Sequence, residues 1–533
     1  MRCAKLSLFL FSVGVKSEIV VVGGGASGLM AAYQAARTLV DAGSDAQVTV
    51  LEKMPRPARK MMITGKGRCN FTNVKDWNAF SAHVRSKPNF VKSAFYNLPP
   101  QAVVDWFEGF GMPTVVERGD RAFPASYHAS DVVDTLVNAC HSLGVKIETD
   151  AEVANLSLEP RGSSPLKTSC SAGPLPSDDG PLPIYTGVAT PEPPASLKSL
   201  SNFASSKVTG PGRSADADFL SSAHEPSTGF RVELTDGREW KCRRVIVATG
   251  GLSYPATGST GDGLRWATEL GHRIVPTFPA LTALVPKGYK IQEDKDLHID
   301  RSTPLSELGQ SLCGVKLKNI QLTLNIEGTE ADSEFGDIDF TDGGLEGPVG
   351  FQLSRKAVKA MVNGSRVSLV LDLKPGVDLT ALTTRVKELW TEIEKDPRSR
   401  GIREKERCRI LLGKLLPREL IPGFVAMHPE IITLERRGRA DTKVWVNLVS
   451  IAKALKAWRF DIAGYVGYER AVVTAGGVST DDFIAKTMES RIVPGLYLCG
   501  EMLDIDADTG GYNLQLAFST GALAGLNAAK SLL

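Results

Sequence analysis

Gly23, Gly25 and Gly28 stand at G-x-G-x-x-G spacing directly behind the apolar run Ile19-Val20-Val21-Val22. Residue types in that order suit a pyrophosphate held by backbone. Gly23 lets the chain turn off a strand, Gly25 puts no side chain between backbone and phosphate, and Gly28 lets the next helix lie close to a sheet. Ala26 and Ser27 then open a helix whose free N–H groups and positive dipole end face the anion. Glu52 ends the next apolar run, Val48 to Leu51, where an acid can accept hydrogen bonds from both hydroxyls of an adenosine ribose. The spacing predicts a dinucleotide cradle; a glycine turn of no function is the alternative.

Four further groups of residues carry chemistry. Lys53, Lys60, Thr64, Gly65, Gly67, Arg68, Cys69 and Asn70 lie in one basic, glycine-containing stretch after Glu52. Its backbone and cations could face an anion, or it could be a solvated basic loop. Thr249, Gly250 and Gly251 follow the buried run Val245-Ile246-Val247, and the hydroxyl- and glycine-rich stretch Ser253 to Gly263 comes next. Small residues at a strand end allow close approach to a ligand; a merely flexible loop is the other reading. Gly500 and Glu501 end the strand-like Leu496-Tyr497-Leu498, and Gly511, Tyr512, Asn513, Leu514 and Gln515 open the last helix. Arg121, in the turn Gly119 to Pro124, could hold a carboxylate, although a structural ion pair is the commoner use of such a residue.

The elements that position these groups read as an α/β chain. Strand, helix and strand over Ile19 to Leu51 form a βαβ beginning. Asp131 to Leu143 has a helical apolar face that includes Cys140 and stops at Gly144, before the strand-like Val145-Lys146-Ile147. Ala151 to Leu158 and Gly229 to Val245 read as a β-meander whose hairpin tip is expanded by a Ser/Pro-rich insert. That insert, about Pro160 to Thr228, has too few large apolar residues to offset its ordering entropy and is expected to be disordered. From Pro276 to Gly467 the βαβ rhythm stops. Leu317 to Ile326, Ile338 to Thr341 and Val367 to Leu373 suggest a small sheet or barrel, with helices around Leu379 to Ile393, Glu406 to Leu416 and Val449 to Trp458.

At 533 residues the chain can hold two or more domains. Lys plus Arg total 62 against 60 Asp plus Glu, so no global field recruits nucleic acid or an anionic membrane. The basic runs at Arg398 to Arg400 and Arg436 to Arg439 have no interleaved aromatics and read as solvated faces. Eight cysteines without a C-x-x-C argue against a metal or iron–sulfur site and fit a reducing compartment. The apolar run Leu6 to Phe11 resembles a short signal sequence but is too short to span a bilayer. A cytoplasmic protein with a short leader is expected, with organelle targeting the alternative.

Gly23 to Gly28, Gly65 to Asn73, Gly250 to Gly263 and Gly500 to Leu516 together resemble the BaiN-like or aminoacetone-oxidase-like family of NAD(P)/FAD-dependent flavoproteins. The resemblance implies a glutathione-reductase-like Rossmann FAD-binding domain in three pieces, 17–159, 229–275 and 471–533, behind a leader at 1–16. The insert 160–228 separates the first two pieces, and a β-barrel plus helical domain at 276–470 separates the second and third. FAD is the implied cofactor, with two-electron chemistry at flavin N5 on substrates as different as an amine and an unsaturated steroid acid. Glu501 would reach the ribityl and phosphate region, and the last helix would point its N-terminus at the pyrimidine end of the flavin. A dipole there is worth roughly 0.3 to 1 kcal/mol, up to about 2 when partly buried, and raises the reduction potential. The chain departs from the family pattern at Lys66, at Ala507 and in the insert, and the first two bear on substrate choice.

The expected function is an FAD-dependent oxidoreductase moving a hydride between a small organic substrate and flavin N5. A second G-x-G-x-x-G is missing, so NAD(P)H would act as a transient donor at a site built differently. The alternatives are an amine oxidase that makes hydrogen peroxide, an RNA-modifying flavoprotein, and a protein that keeps FAD for structure alone. Arg121 is assigned to an anionic substrate group, Tyr254 to proton donation opposite the hydride, and Cys69 to packing or tuning beside the ring. Small-molecule partners are expected, without nucleic acid or stable membrane insertion.

Overall fold

The computed structural model describes residues 15–160, 228–291, 296–436 and 442–533. The expectations of a leader and of a disordered insert fall on residues 1–14 and 161–227, outside the described residues. Val15 and Lys16, placed with the leader, instead form a short strand parallel to Glu239–Cys242. No helix among the described residues is long and apolar enough to cross a membrane.

The first architecture is a parallel five-stranded sheet in the order Leu496–Leu498, Arg244–Val247, Ile19–Val22, Val48–Leu51 and Lys146–Glu148. Val22 pairs with both Leu51 and Val247, and Val247 with Leu498. The carboxyl ends of these strands are therefore level, and the loops after Val22, Leu51, Val247 and Leu498 emerge along one edge. Ile19–Val22, Val48–Leu51, Arg244–Val247 and Leu496–Leu498 are buried on both faces, which is why they read as near-continuous apolar runs, whereas the edge strand Lys146–Glu148 is exposed at Lys146. The helices Ala26–Asp41 and Tyr512–Lys530 pack together closely enough that a Cβ on Gly521 would lie 2.3 Å from Ser27 O, and one on Gly525 2.1 Å from Ala31 O.

The expected meander is present: Val15–Lys16, Glu239–Cys242, Thr228–Leu234 and Val153–Pro160 form one four-stranded sheet. Arg121, expected in a turn, begins the strand Arg121–Pro124, which pairs with Thr72–Asn73 and Thr114–Glu117. The turn itself is one residue earlier, where Asp120 has φ +61°. In the basic stretch the prolines hold off regular structure only as far as Ala58, after which Arg59–Ile63 forms a short helix.

The expectation of a sheet or barrel resolves to a closed barrel of six strands, Leu284–Pro286, Gly344–Glu346, Thr329–Thr341, Lys316–Ile326, Val367–Asp372 and Trp458–Tyr465. Its interior is a second hydrophobic core, separate from that of the parallel sheet and continuous with helices Leu379–Lys395, Glu404–Leu415 and Leu448–Lys456. Two antiparallel strands, Ile274–Ala280 and Val473–Val478, carry the chain into and out of this part. The described residues outside 160–228 form one compact unit with two cores.

Candidate functional site

A cavity of about 900 Å³ opens at the level carboxyl ends of the parallel strands and extends to the barrel. Gly23, Gly25, Ala26, Ser27 and Glu52 line it, as do Thr249, Gly250, Gly500 and Glu501 from the neighbouring strands. This is where an open α/β sheet binds its ligand. The three cradle glycines are required for different reasons. A Cβ on Gly23, which has φ +104°, would sit 2.6 Å from Ala248 O, and one on Gly28 only 1.9 Å from Gly23 O. Gly25 meets nothing within 4 Å in that direction, so its missing side chain leaves room on the cavity side. Gly28 accordingly serves helix packing and does not line the cavity.

Glu52 is buried, and its carboxylate accepts hydrogen bonds from Gly24 N–H and Met54 N–H, each at 2.8 Å. Burial pushes its carboxyl up from the usual range, and the two N–H groups oppose that shift. Each oxygen retains a lone pair for a ribose hydroxyl. Neither Gly25 nor Gly511, the residues that cap the two long helices, supplies a side-chain cap, and neither helix has an acid in its first turn. Two uncompensated helix N-termini thus face one cavity. Asn70 Oδ1 and Thr249 Oγ1, buried on residues that line it, have no hydrogen-bond partner among the described residues. A long ligand with a pyrophosphate centre and polar ring edges fits this set.

Lys60 Nζ lies 2.6 Å from Glu501 Oε2 and 2.6 Å from Ser253 Oγ. Glu501 Oε1 accepts from Ser253 Oγ at 2.6 Å and from Thr474 N–H at 2.7 Å. Lys60 and Glu501 therefore belong to one network in the cavity wall; Ser253 and Thr474 are members that sequence reading missed. Lys53 also lines the cavity, but its ammonium is held by Asp262 at 2.7 Å and by Thr260. Thr64, Gly65, Arg68, Asn513 and Leu514 line it too, although the Asn513 side chain is spent on Ala507 and Asp508 backbone atoms.

Arg121 and Tyr254 also line the cavity, as do Glu346 at the end of a barrel strand and Pro348 and Phe351 on the helix that follows it. Arg121 donates to Arg118 O at 3.1 Å and pairs with Glu117 at 3.5 Å. Tyr254 is half-buried at φ +53°, and burial pushes its phenol above the ordinary value. It therefore stays protonated at neutral pH.

Besides Gly28, five expected residues fall outside the lining. Cys69 is fully buried, and burial pushes its thiol up to about 11, which leaves it an inert packing group. Gly67 and Gly251 do not reach the cavity; a Cβ on Gly251 would strike Thr474 Oγ1 at 2.4 Å. Tyr512 stacks on His83, with ring centroids 4.4 Å apart. Gln515 is buried against Thr72, Leu98 and Ser519. The last two share a helix face at three-residue spacing, and the cavity sees Asn513, Leu514, Leu516 and Ala517 instead. Among the described residues no group of three His, Cys, Asp or Glu side chains could hold a metal ion.

Residues 17–173 and 213–527 match the family described as HI0933-like protein Rossmann domain, and the chain belongs to that family. It is 26% identical, over 96% of its length and 99% of the relative's, to a 3-dehydro-bile acid delta(4,6)-reductase of Clostridium scindens. It is also 26% identical, with 96% and 99% covered, to a ribosomal RNA dihydrouridine synthase of Haemophilus influenzae. Among solved structures, a 3-ketosteroid-delta4-(5alpha)-dehydrogenase of Rhodococcus jostii RHA1 aligns over 98% of each chain at 14% identity and TM-score 0.40. The family is the one the four motif stretches resemble, and the chain is an FAD-dependent oxidoreductase.

Proposed function

We propose that the enzyme adds two hydrogens across a carbon–carbon double bond conjugated to a carbonyl, with NAD(P)H as transient electron donor. The observation that carries this reading is the meeting on one cavity of a dinucleotide cradle with a protonated phenol, Tyr254, and a guanidinium, Arg121. The names of two whole-length relatives support it. One denotes reduction of the 4,6 double bonds of a 3-oxo bile acid and the other formation of dihydrouridine, and both describe saturation of a bond beside a carbonyl.

Reduced FAD, when bound, supplies a hydride to the β-carbon of such a substrate. Gly23, Gly25, Ala26 and Ser27 take the pyrophosphate, Glu52 the adenosine ribose, and Asn70 and Thr249 the remaining polar edges. Lys60 and Glu501 hold the polar chain between phosphate and ring. Tyr254 gives the proton to the α-carbon from the opposite side, and its burial keeps that proton on at neutral pH. Arg121 orients the substrate through an anionic or carbonyl oxygen. A second reading, with a uracil ring of RNA as acceptor, draws on the Haemophilus influenzae relative and on the exposed cations Lys66, Lys316 and Lys318 at the cavity mouth.

The test is anaerobic mixing of holoenzyme, reduced by NADPH or NADH, with a 4-en-3-one steroid acid or a uridine-containing RNA. Return of the oxidised flavin spectrum together with a product carrying two more hydrogens is expected for one of them. A flavin that stays reduced with both, but is reduced by small amines and makes peroxide in air, would establish the amine oxidase instead.

A further inference from the structure

Lys66 holds φ +59° directly after Gly65 at φ +56°, so two consecutive residues are left-handed and the second is not glycine. That conformation strains an L-residue in a way that glycine would avoid. The side chain makes no packing contact that offsets this, because it is 83% exposed. What it does make is a bridge. Its ammonium lies 3.7 Å from Asp339 Oδ2, on the barrel strand Thr329–Thr341, while Lys66 and Asp339 both line the cavity. With the ammonium exposed and 3.7 Å from a half-buried carboxylate, the pair is weak and exchangeable.

Around this pair the cavity mouth is cationic. Lys316 and Lys318 stand two residues apart on the barrel strand, both exposed and both lining the cavity beside Lys66, Arg68 and Arg121. The carboxylates that face these five cations are already engaged. Glu117 is shared by Arg68 and Arg121, Asp337 accepts from Asn319 N–H at 3.1 Å, and Asp339 holds Lys66. Positive charge is left over at the substrate end.

We propose that Lys66 is a specificity-determining residue: it exchanges Asp339 for a carboxylate or phosphate group carried by the substrate, and so selects anionic over neutral acceptors. The proposal rests on the reductase reading only for the identity of the acceptor. The cation stands at the tip of a left-handed turn, clear of its own loop, and can swing from the barrel to an incoming anion without breaking any other contact.

The experiment uses oxidised holoenzyme and two planar probes that need no knowledge of the substrate, the dianion anthraquinone-2,6-disulfonate and neutral menadione, titrated calorimetrically. The wild-type protein is expected to prefer the dianion. Lys66→Glu should weaken the dianion by roughly tenfold or more and leave menadione within about twofold. Lys66→Gly should also weaken the dianion while the melting temperature holds or rises, because glycine relieves the backbone. Asp339→Asn should tighten it. No preference for the dianion in the wild type, an unchanged dianion affinity in Lys66→Glu, or equal loss of both probes would overturn the proposal. A 4-en-3-one steroid acid with its methyl ester, and uridine 5′-monophosphate with uridine, then show whether the anion is a carboxylate or a phosphate. If reduced enzyme transfers hydrogen to neither acceptor while the quinone affinities still follow Lys66, the reductase reading fails and the role of Lys66 stands.

Discussion

On the nucleotide-binding side the cavity wall includes stretches of bare backbone, at Gly23, Gly25, Gly250, Gly500 and Gly511, and the uncapped N-termini of Ala26–Asp41 and Tyr512–Lys530. On the barrel side it is side chains, with Lys316, Lys318, Asp337, Asp339, Glu346 and Phe351 projecting from strands and from the start of helix Gly347–Val362. Backbone donors recognise what every member of a cofactor class shares and tolerate few substitutions. Side chains on a barrel rim can be exchanged without disturbing the strand hydrogen bonds that carry them. The two walls thus differ in what a substitution does to them: on the first it meets backbone, and on the second it leaves the strand pairing in place.

The strongest way to break this comparison is Gly25→Val. It enters the open space beside the cradle, where a Cβ meets no protein atom within 4 Å, unlike a change at Gly28. Complete loss of FAD with a folded chain is expected, read as flavin released on heat denaturation against circular dichroism. A variant that keeps stoichiometric FAD would place the pyrophosphate elsewhere.

Next in size is the seam between the two sides. Arg355, on barrel helix Gly347–Val362, pairs with Asp506 through both carboxylate oxygens, one at 2.9 Å, and Asp506 is almost fully buried in the turn before the last helix. Arg355→Ala leaves that charge uncompensated except for Ser86 Oγ at 2.9 Å, and should destabilise the protein by about 3 to 5 kcal/mol. Adding Asp506→Asn should recover much of the loss in denaturant melts; strict additivity of the two changes would show that the pair is not coupled.

Tyr254→Phe comes third, with substrate-driven flavin reoxidation slowed by roughly 10²-fold and FAD content unchanged. Wild-type rates would remove the phenol from the chemistry and leave the barrel wall a purely selective surface. Arg121→Ala is expected to act on substrate affinity more than on rate.

The smallest effect sharpens the comparison through two histidines of opposite sign. His272, on the nucleotide-binding side, donates from Nδ1 to Ala267 O and accepts at Nε2 from Ser490 Oγ, an arrangement of the neutral ring, and burial lowers its pKa. Below the unfolded value near 6.5 the unfolded chain takes a proton that the folded chain refuses, so stability falls as pH drops through that range. His298, on the barrel side, is raised by its hydrogen bond to Glu469; its contribution is full below 6.5 and fades as pH rises through the folded value. Melting profiles of His272→Gln and His298→Gln from pH 5 to 8 should therefore deviate from wild type in opposite directions, and deviations of the same sign would contradict the assignment.

The residues that could be read from the chain are those whose partners are close in sequence. Gly23, Gly25, Gly28 and Glu52 belong to one βαβ unit, and each sits where its spacing puts it, three of them on the cavity and Gly28 in the helix packing. The network of Lys60, Ser253, Thr474 and Glu501 spans most of the chain, and no local pattern announces that a serine after Gly251 meets a lysine far upstream. Lys316 and Lys318 alternate with the buried Leu317 as any half-exposed strand does, so period-two patterning identified the strand but not the cavity its end would face. Gln515 and Tyr512 were placed with the ligand because they adjoin Gly511 in sequence; the helical repeat turns them into protein. Closure of the barrel was only one of two readings, since strand propensity sets pairing and leaves open whether the last edge meets the first.

The close packing of Gly521 and Gly525 on Ser27 and Ala31 also has a consequence in time. The helix Ala26–Asp41 is completed by Tyr512–Lys530, made far later, and the edge strand Leu496–Leu498 of the parallel sheet arrives only shortly before that helix. The cradle is thus translated early and covered late: until Tyr512–Lys530 has been made, the flank of Ala26–Asp41 that carries Ser27 and Ala31 lacks its native partner. A chain ending at Gly511 should be cleaved rapidly by protease and copurify with chaperones, whereas resistance equal to that of the full chain would mean that another segment guards that flank. The order of the elements thus makes the shelter of the cradle helix depend on a helix translated long after it.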